Sequence, residues 1–229
     1  MALLALCVNF ASCSSDDDEI IKNEEGIVTN QKKLVQIFGD TDFTYDAKGR
    51  LTFIGGYEWE YTWAEGVIVC SEDIITIENN LVRSVEDEDG TISFTYNSKN
   101  QLVKIESKDK DYTITFERTF VWEDDKIIKQ IYGNNDFDEY TYSGKTCKRM
   151  MFHPIYTEED NPWPYLIAAH PELLGTPCLQ LPDSEIHHRS DNTEYTTNYS
   201  YDLDEDGYVV STIKRGEDGY TETFTCKWE

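Results

Sequence analysis

The sequence predicts an all-β fold: an antiparallel meander of successive hairpins, about 12–14 strands by spacing, forming a barrel-like or strongly curved sheet with one short helical insert. Three observations carry this expectation. Bulky residues recur in pairs one residue apart, at Phe43/Tyr45, Tyr61/Trp63, Phe94/Tyr96, Phe120/Trp122, Tyr140/Tyr142 and Tyr199/Tyr201. Residues i and i+2 share one face of a strand, so each pair points two large side chains to the same side. Turn residues that tolerate positive φ fall between the runs, as in Asp46-Ala-Lys-Gly49, Glu78-Asn-Asn80, Asn97-Ser-Lys-Asn100, Asp206-Gly207 and Asp218-Gly219. The pattern returns from position 43 to 61, 75 to 94 and 120 to 140, intervals of 18, 19 and 20 residues that match one hairpin each.

Composition bounds the class further. A chain of 229 residues can bury a single β core without staples. Tyr 15, Phe 10 and Trp 5 supply the aromatics that strands favour. With 45 acidic against 20 basic residues the net charge is −25, which repels phosphate backbones and anionic lipid surfaces and excludes nucleic acid as a partner.

Residues 1–12 read as a lipoprotein signal peptide: an apolar, uncharged run too short to span a bilayer. The absence of a basic residue before it points to a start further upstream. Phe10-Ala-Ser-Cys13 resembles a bacterial lipobox, which implies acylation of Cys13 and a membrane partner through that lipid. Asp16 to Glu19 resembles the export signal that sends Bacteroidetes lipoproteins to the outer face of the outer membrane, so the expected location is the cell surface. Residues 13–30 form an acidic tether.

Residues 31–229 read as a single β domain. In Glu58-Trp-Glu-Tyr-Thr-Trp63 the aromatics fall on one face and Glu, Glu and Thr on the other, so one face is dry and one wet. A bilayer-spanning barrel needs an outward apolar band, and these outward residues are polar, so a water-soluble sheet is expected. Period two breaks in an insert over residues 153–189, where acidic residues and Pro162 precede an apolar run that Gly175 closes. A short helical cap or plug over one end of the sheet is expected there.

Tyr45-Asp46-x-x-Gly49-Arg50-Leu51 resembles the YD repeat of Rhs-type shells in this one hairpin. The hairpins, His170-Pro-Glu-Leu-Leu-Gly175 with Leu181-Pro182, and the closing Tyr201-Asp-x-Asp-Glu-Asp-Gly-Tyr208 together resemble a family of Bacteroidetes lipoproteins of unknown function with a porin-like fold. The resemblance spans nearly the whole mature chain and implies a fold, with no activity attached.

Site chemistry is sparse. His153, His170, His187 and His188 cluster in or beside the insert without metal-ligand spacing, and adjacent His187 and His188 would point to opposite sides of a strand. Asp202-x-Asp204-x-Asp206-Gly207 matches the first half of a calcium loop, but Ile213 stands where the closing Glu belongs, and an acidic hairpin turn explains the residues equally. Cys70, Cys147, Cys178 and Cys226 allow three disulfide pairings or none. Trp163 and Tyr165 are the candidate aromatic platform for a ligand, against core packing in the plug. No nucleophile motif is present and no cofactor is expected. The expected function is a non-catalytic binding or structural module for a glycan or extracellular protein. The alternative is a glycan-active enzyme using paired carboxylates.

Overall fold

Sixteen strands close into an antiparallel barrel in the computed structural model, which describes residues 31–149 and 162–229. In chain order they are β1 (Leu34–Ile37), β2 (Thr41–Tyr45), β3 (Leu51–Ile54), β4 (Trp59–Ala64), β5 (Val67–Cys70), β6 (Asp73–Glu78), β7 (Leu81–Glu86) and β8 (Gly90–Tyr96). The second half contains β9 (Leu102–Asp109), β10 (Ile114–Glu123), β11 (Lys126–Tyr132), β12 (Phe137–Thr141), β13 (Ser184–His188), β14 (Glu194–Leu203), β15 (Val209–Gly216) and β16 (Thr221–Trp228). Every strand pairs with its sequence neighbours. β16 returns onto β1, with Leu34 opposite Trp228 and Ile37 opposite Cys226, so closure removes the exposed edges. The count exceeds the expected 12–14 because β1, β3 and β5 have only four residues each, and Val67-Ile-Val-Cys70 is a continuous apolar run without alternation.

The recurring aromatics have a second task beyond filling the lumen. Tyr45, Tyr96 and Tyr142 donate their hydroxyls to the carbonyls of Leu34, Val82 and Ile127, at 2.6, 2.9 and 2.5 Å. Trp63, Trp122 and Trp228 donate Nε1–H to Leu51, Leu102 and Val209, each at 2.7 Å. In each case the last aromatic of one hairpin fastens onto the start of the strand before it. The turn between them is also stereotyped. Asp46 Oδ1 accepts the amides of Lys48 and Arg50, and Asn97 and Asp204 do the same for the residues two and four positions on. Gly49, Asn100 and Gly207 then take φ of +82°, +58° and +85°, as that turn requires.

Because neighbouring strands run antiparallel, the connections alternate between two ends of the barrel. One end carries these Asx turns and the long connection from β12 to β13. That connection contains α1 (Pro162–Ala169) and a 3₁₀ turn (Pro171–Leu174), and α1 is buried along its whole length, as a helix inside a barrel must be. Pro162 and Pro164 fall in the first turn, where backbone N–H groups have no helical partner to lose. The plug packs against Phe43, Tyr61, Ile68, Phe94 and Ile105 in one apolar cluster.

Its far end is pinned. His170 Nε2 accepts the Leu51 amide at 3.1 Å while Nδ1 meets Glu172 at 2.9 Å, and Arg149 donates to the Ala169 carbonyl that ends the helix. Thr176 N–H bonds Asn100 O at 2.8 Å, and Gly175 approaches so closely that a Cβ there would lie 2.0 Å from that oxygen. The expected insert of residues 153–189 is therefore shorter at its end: residues 184–188 form β13, a full stave of the barrel. Residues 153–161, including His153, lie outside the described residues.

Candidate functional site

Strand register places two different interiors inside one barrel. Along β2 to β8 the inward side chains are mostly apolar, Asp73 on β6 excepted, and form one cluster with the plug. Along β11 to β13 polar side chains stand beside Ile127, Tyr132 and Tyr140 on the inward face. Ile131 pairs with Phe137, and Lys129 with Glu139 and Glu139 with Ile186, on the outer wall. Gln130, Asp138, Glu185 and His187 turn inward, with 1%, 1%, 5% and 8% exposure. Burying polar groups is costly unless each is hydrogen-bonded, and these are.

The bonds run as a chain. Tyr140 hydroxyl donates to Gln130 Oε1 at 3.3 Å, Gln130 Nε2 to Tyr132 hydroxyl at 2.8 Å, and Tyr132 to Asp138. Asp138 Oδ1 meets His187 Nδ1 at 2.8 Å, and His187 Nε2 meets Thr197 Oγ1 at 3.1 Å. Tyr199 donates to Glu185, whose Oε2 is 3.5 Å from His187 Nε2. The two carboxyls differ. Burial and the neighbouring Asp138 charge push Glu185 above the usual carboxyl range, whereas bonds from His187 and Tyr132 outweigh burial and hold Asp138 below it.

Arg118 on β10 faces this chain. It is 8% exposed, lies 5.3 Å from the Tyr132 ring centre and 4.8 Å from that of Phe116, and its buried Nε has no hydrogen-bond partner. Among the described residues no carboxylate comes within ion-pair distance of it.

The barrel end opposite the β12–β13 connection is rimmed by aromatics. Tyr112 is 85% exposed, Tyr220 54%, Phe38 42%, Tyr195 39% and Tyr57 36%, and each lies in or beside a turn at this end. Tyr112 and Phe38 hold φ of +61° and +55°, a left-handed conformation that bulky side chains seldom adopt. Tyr195 links rim to lumen by stacking on His187 with ring centres 4.1 Å apart. Tyr57 links rim to plug, stacking on Trp59 at 4.4 Å and bonding the Tyr165 hydroxyl at 2.9 Å.

The fold is porin-like. A porin-like protein from Bacteroides uniformis ATCC 8492 matches with a TM-score of 0.62 and 19% identity, over 86% of this chain and 95% of that one. A porin-like protein from Bacteroides vulgatus ATCC 8482 matches with a TM-score of 0.62 and 10% identity, over 86% and 99%. No protein-family model matches the chain, and no curated protein sequence is similar to it. At these identities the likeness is one of fold.

The outer wall of this porin-like barrel is charged. Lys104 bridges Glu106 and Glu117 at 2.7 and 2.8 Å, Lys108 meets Glu106 at 2.7 Å, and Lys129 meets Glu139 at 3.3 Å, all on outward positions. Among the described residues no helix is long and apolar enough to cross a membrane.

The candidate residues read from sequence fare differently. Trp163 and Tyr165 are each 4% exposed, packed edge-on against Phe94 and Trp59, so they serve the plug and offer no open platform. The accessible aromatics are those of the rim, which sequence reasoning missed because they sit in turns. Asp204 and Asp206 both hold Lys32 Nζ, at 2.8 and 2.6 Å, and Asp204 organises its turn, while Asp202 pairs with Ser211 along the strand. His187 and His188 do point to opposite faces, with His188 stacked on outward Phe137. The four described cysteines are thiols, and burial pushes Cys70 to about 11 and Cys147 to about 12, so neither is a nucleophile at neutral pH. Cys13 lies outside the described residues.

Asp138, Glu185 and His187 offer donor atoms all within 4.8 Å of one another, a set of the type that holds a divalent ion. Each is instead engaged by the hydrogen bonds above, with a guanidinium facing them. The same closeness leaves the glycan-hydrolase alternative unsupported: donor atoms of Asp138 and Glu185 lie within 4.8 Å of each other, short of the about 5–9.5 Å at which two carboxyls flank a glycosidic bond.

Proposed function

We propose that the protein is a non-catalytic binding module, lipid-anchored through Cys13 at the outer face of the outer membrane, with its barrel in water and its ligand, a glycan or extracellular protein, met at the aromatic rim. The observation that carries the binding role is the polar inner face of β11 to β13, where Gln130, Asp138, Glu185 and His187 are buried. A barrel built for stability alone gains nothing by turning Asp138, Glu185 and His187 inward and Phe137 and Ile186 outward. The anchor reading is supported by the apolar run, Cys13 and the acidic tract that follows it. The aqueous reading is supported by the ionic ladder of the outer wall, where a bilayer would demand apolar residues.

The test combines palmitate labelling of cells expressing the chain with a glycan-array and pull-down screen of the purified protein. Labelling that disappears in Cys13→Ser, together with binding that falls in Tyr112→Ala/Tyr220→Ala, is the expected result. Turnover of a polysaccharide or peptide at enzyme-like rates would overturn it, as would a rim variant that binds as well as the parent.

A further inference from the structure

We infer that the polar half of the lumen is a site for a neutral, hydroxyl-rich ligand, a sugar residue admitted past the rim, with Arg118 as a donor to its hydroxyls. This rests on the binding role proposed above and names the ligand class of that site. The first observation is Arg118 itself. A guanidinium carries five donors in a fixed fork. Here it is more than nine-tenths buried, Nε lacks a partner, and Phe116 and Tyr132 hold it by their rings alone. It sits opposite Tyr132 in register, and Tyr132 bonds Asp138 in the polar chain of the lumen. A buried donor without a partner costs stability, and a ligand that supplies acceptors relieves that cost.

Charge selects the ligand's sign. The chain carries −25, and the Arg118 guanidinium shares the lumen with the carboxyls of Asp138 and Glu185, so an anionic ligand would meet repulsion outside and no surplus positive charge within. The donor and acceptor mix selects hydroxyls. Tyrosine and threonine hydroxyls, a carboxamide, carboxyl groups and a guanidinium stand together, and a sugar hydroxyl can both give and receive among them. The rim supplies the complementary face: flat aromatic rings at Tyr112, Tyr195 and Tyr220 suit the apolar C–H face of a pyranose.

Isothermal titration calorimetry of the purified full chain tests this with glucose, galactose, mannose, xylose and N-acetylglucosamine, their β-linked disaccharides, and glucuronate as the charged control. Saturable binding of at least one neutral sugar is expected, weakened about tenfold or more in Arg118→Met, with glucuronate weaker than its neutral counterpart. Tyr140→Phe removes one lumenal hydroxyl with little change of shape, and is expected to weaken binding severalfold if Arg118→Met fails to fold. Unchanged affinity in folded Arg118→Met, or in Tyr140→Phe, overturns the lumenal site while leaving the binding role intact. Tighter glucuronate binding overturns the neutral class. Absence of any sugar signal in a protein that still captures a partner in the pull-down overturns the sugar, and the proposed function survives.

Discussion

Asp73 shows how one buried carboxyl sets a pH response. It faces inward opposite Cys70, 6% exposed, with Oδ2 unpartnered, and burial followed by the charges of Asp87 and Glu72 raises it from 3.8 to about 6. The folded value exceeds the unfolded one, so ionisation costs stability as pH rises from about 4 to about 6, and below about 4 the cost vanishes because both states are protonated. Asp73→Asn should therefore raise the melting temperature at pH 7 by on the order of 2–4 °C and leave it unchanged at pH 3.5, measured by circular dichroism. The aromatic locks make a second prediction. Trp122→Phe keeps the ring and loses the bond to Leu102 O, and should cost about 1 kcal/mol in urea unfolding. That Trp122 faces inward was legible from its spacing to Phe120. Its bond to the neighbouring strand was not, because it depends on a register that only pairing reveals.

Strands and plug differ in how much of them the pattern discloses. β8, with Ile92, Phe94 and Tyr96 inward and Thr91, Ser93 and Thr95 outward, alternates cleanly and reads directly as a half-buried strand. β12 gives a mixed signal, since Tyr140 and Asp138 face in together while the aromatic Phe137 faces out. The Tyr140/Tyr142 pair assigns the inner face correctly, but nothing in an aromatic pattern shows that a buried carboxyl shares that face, which is why the lumenal network was invisible to it. The break in period at the insert was legible from Pro162 and Gly175, and the HPELLG segment proves to be the anchor of the plug. Gly175→Ala should test that anchor: its Cβ would strike Asn100 O at φ +86°, so the 3₁₀ turn must lift from the strand end. The expected outcome is a loss of about 2–4 kcal/mol in denaturant unfolding, with faster hydrogen exchange at Leu173 and Thr176.

The barrel divides its labour by face. The wall carries ion pairs outward, the plug fills the apolar half, and Tyr195 stacked on His187 joins the polar half to the aromatics of the rim. A net charge of −25 opposes self-association by repulsion, and the outward Lys104, Glu106, Lys108 and Glu117 ladder would be costly in hydrocarbon at every rung. The measurement that bears most directly on this arrangement is the behaviour of unacylated Cys13→Ser in the absence of detergent. A monodisperse, β-rich monomer that does not partition into liposomes is the expected result. A protein that needs detergent to stay folded, or that inserts into lipid bilayers without its acyl anchor, would contradict it.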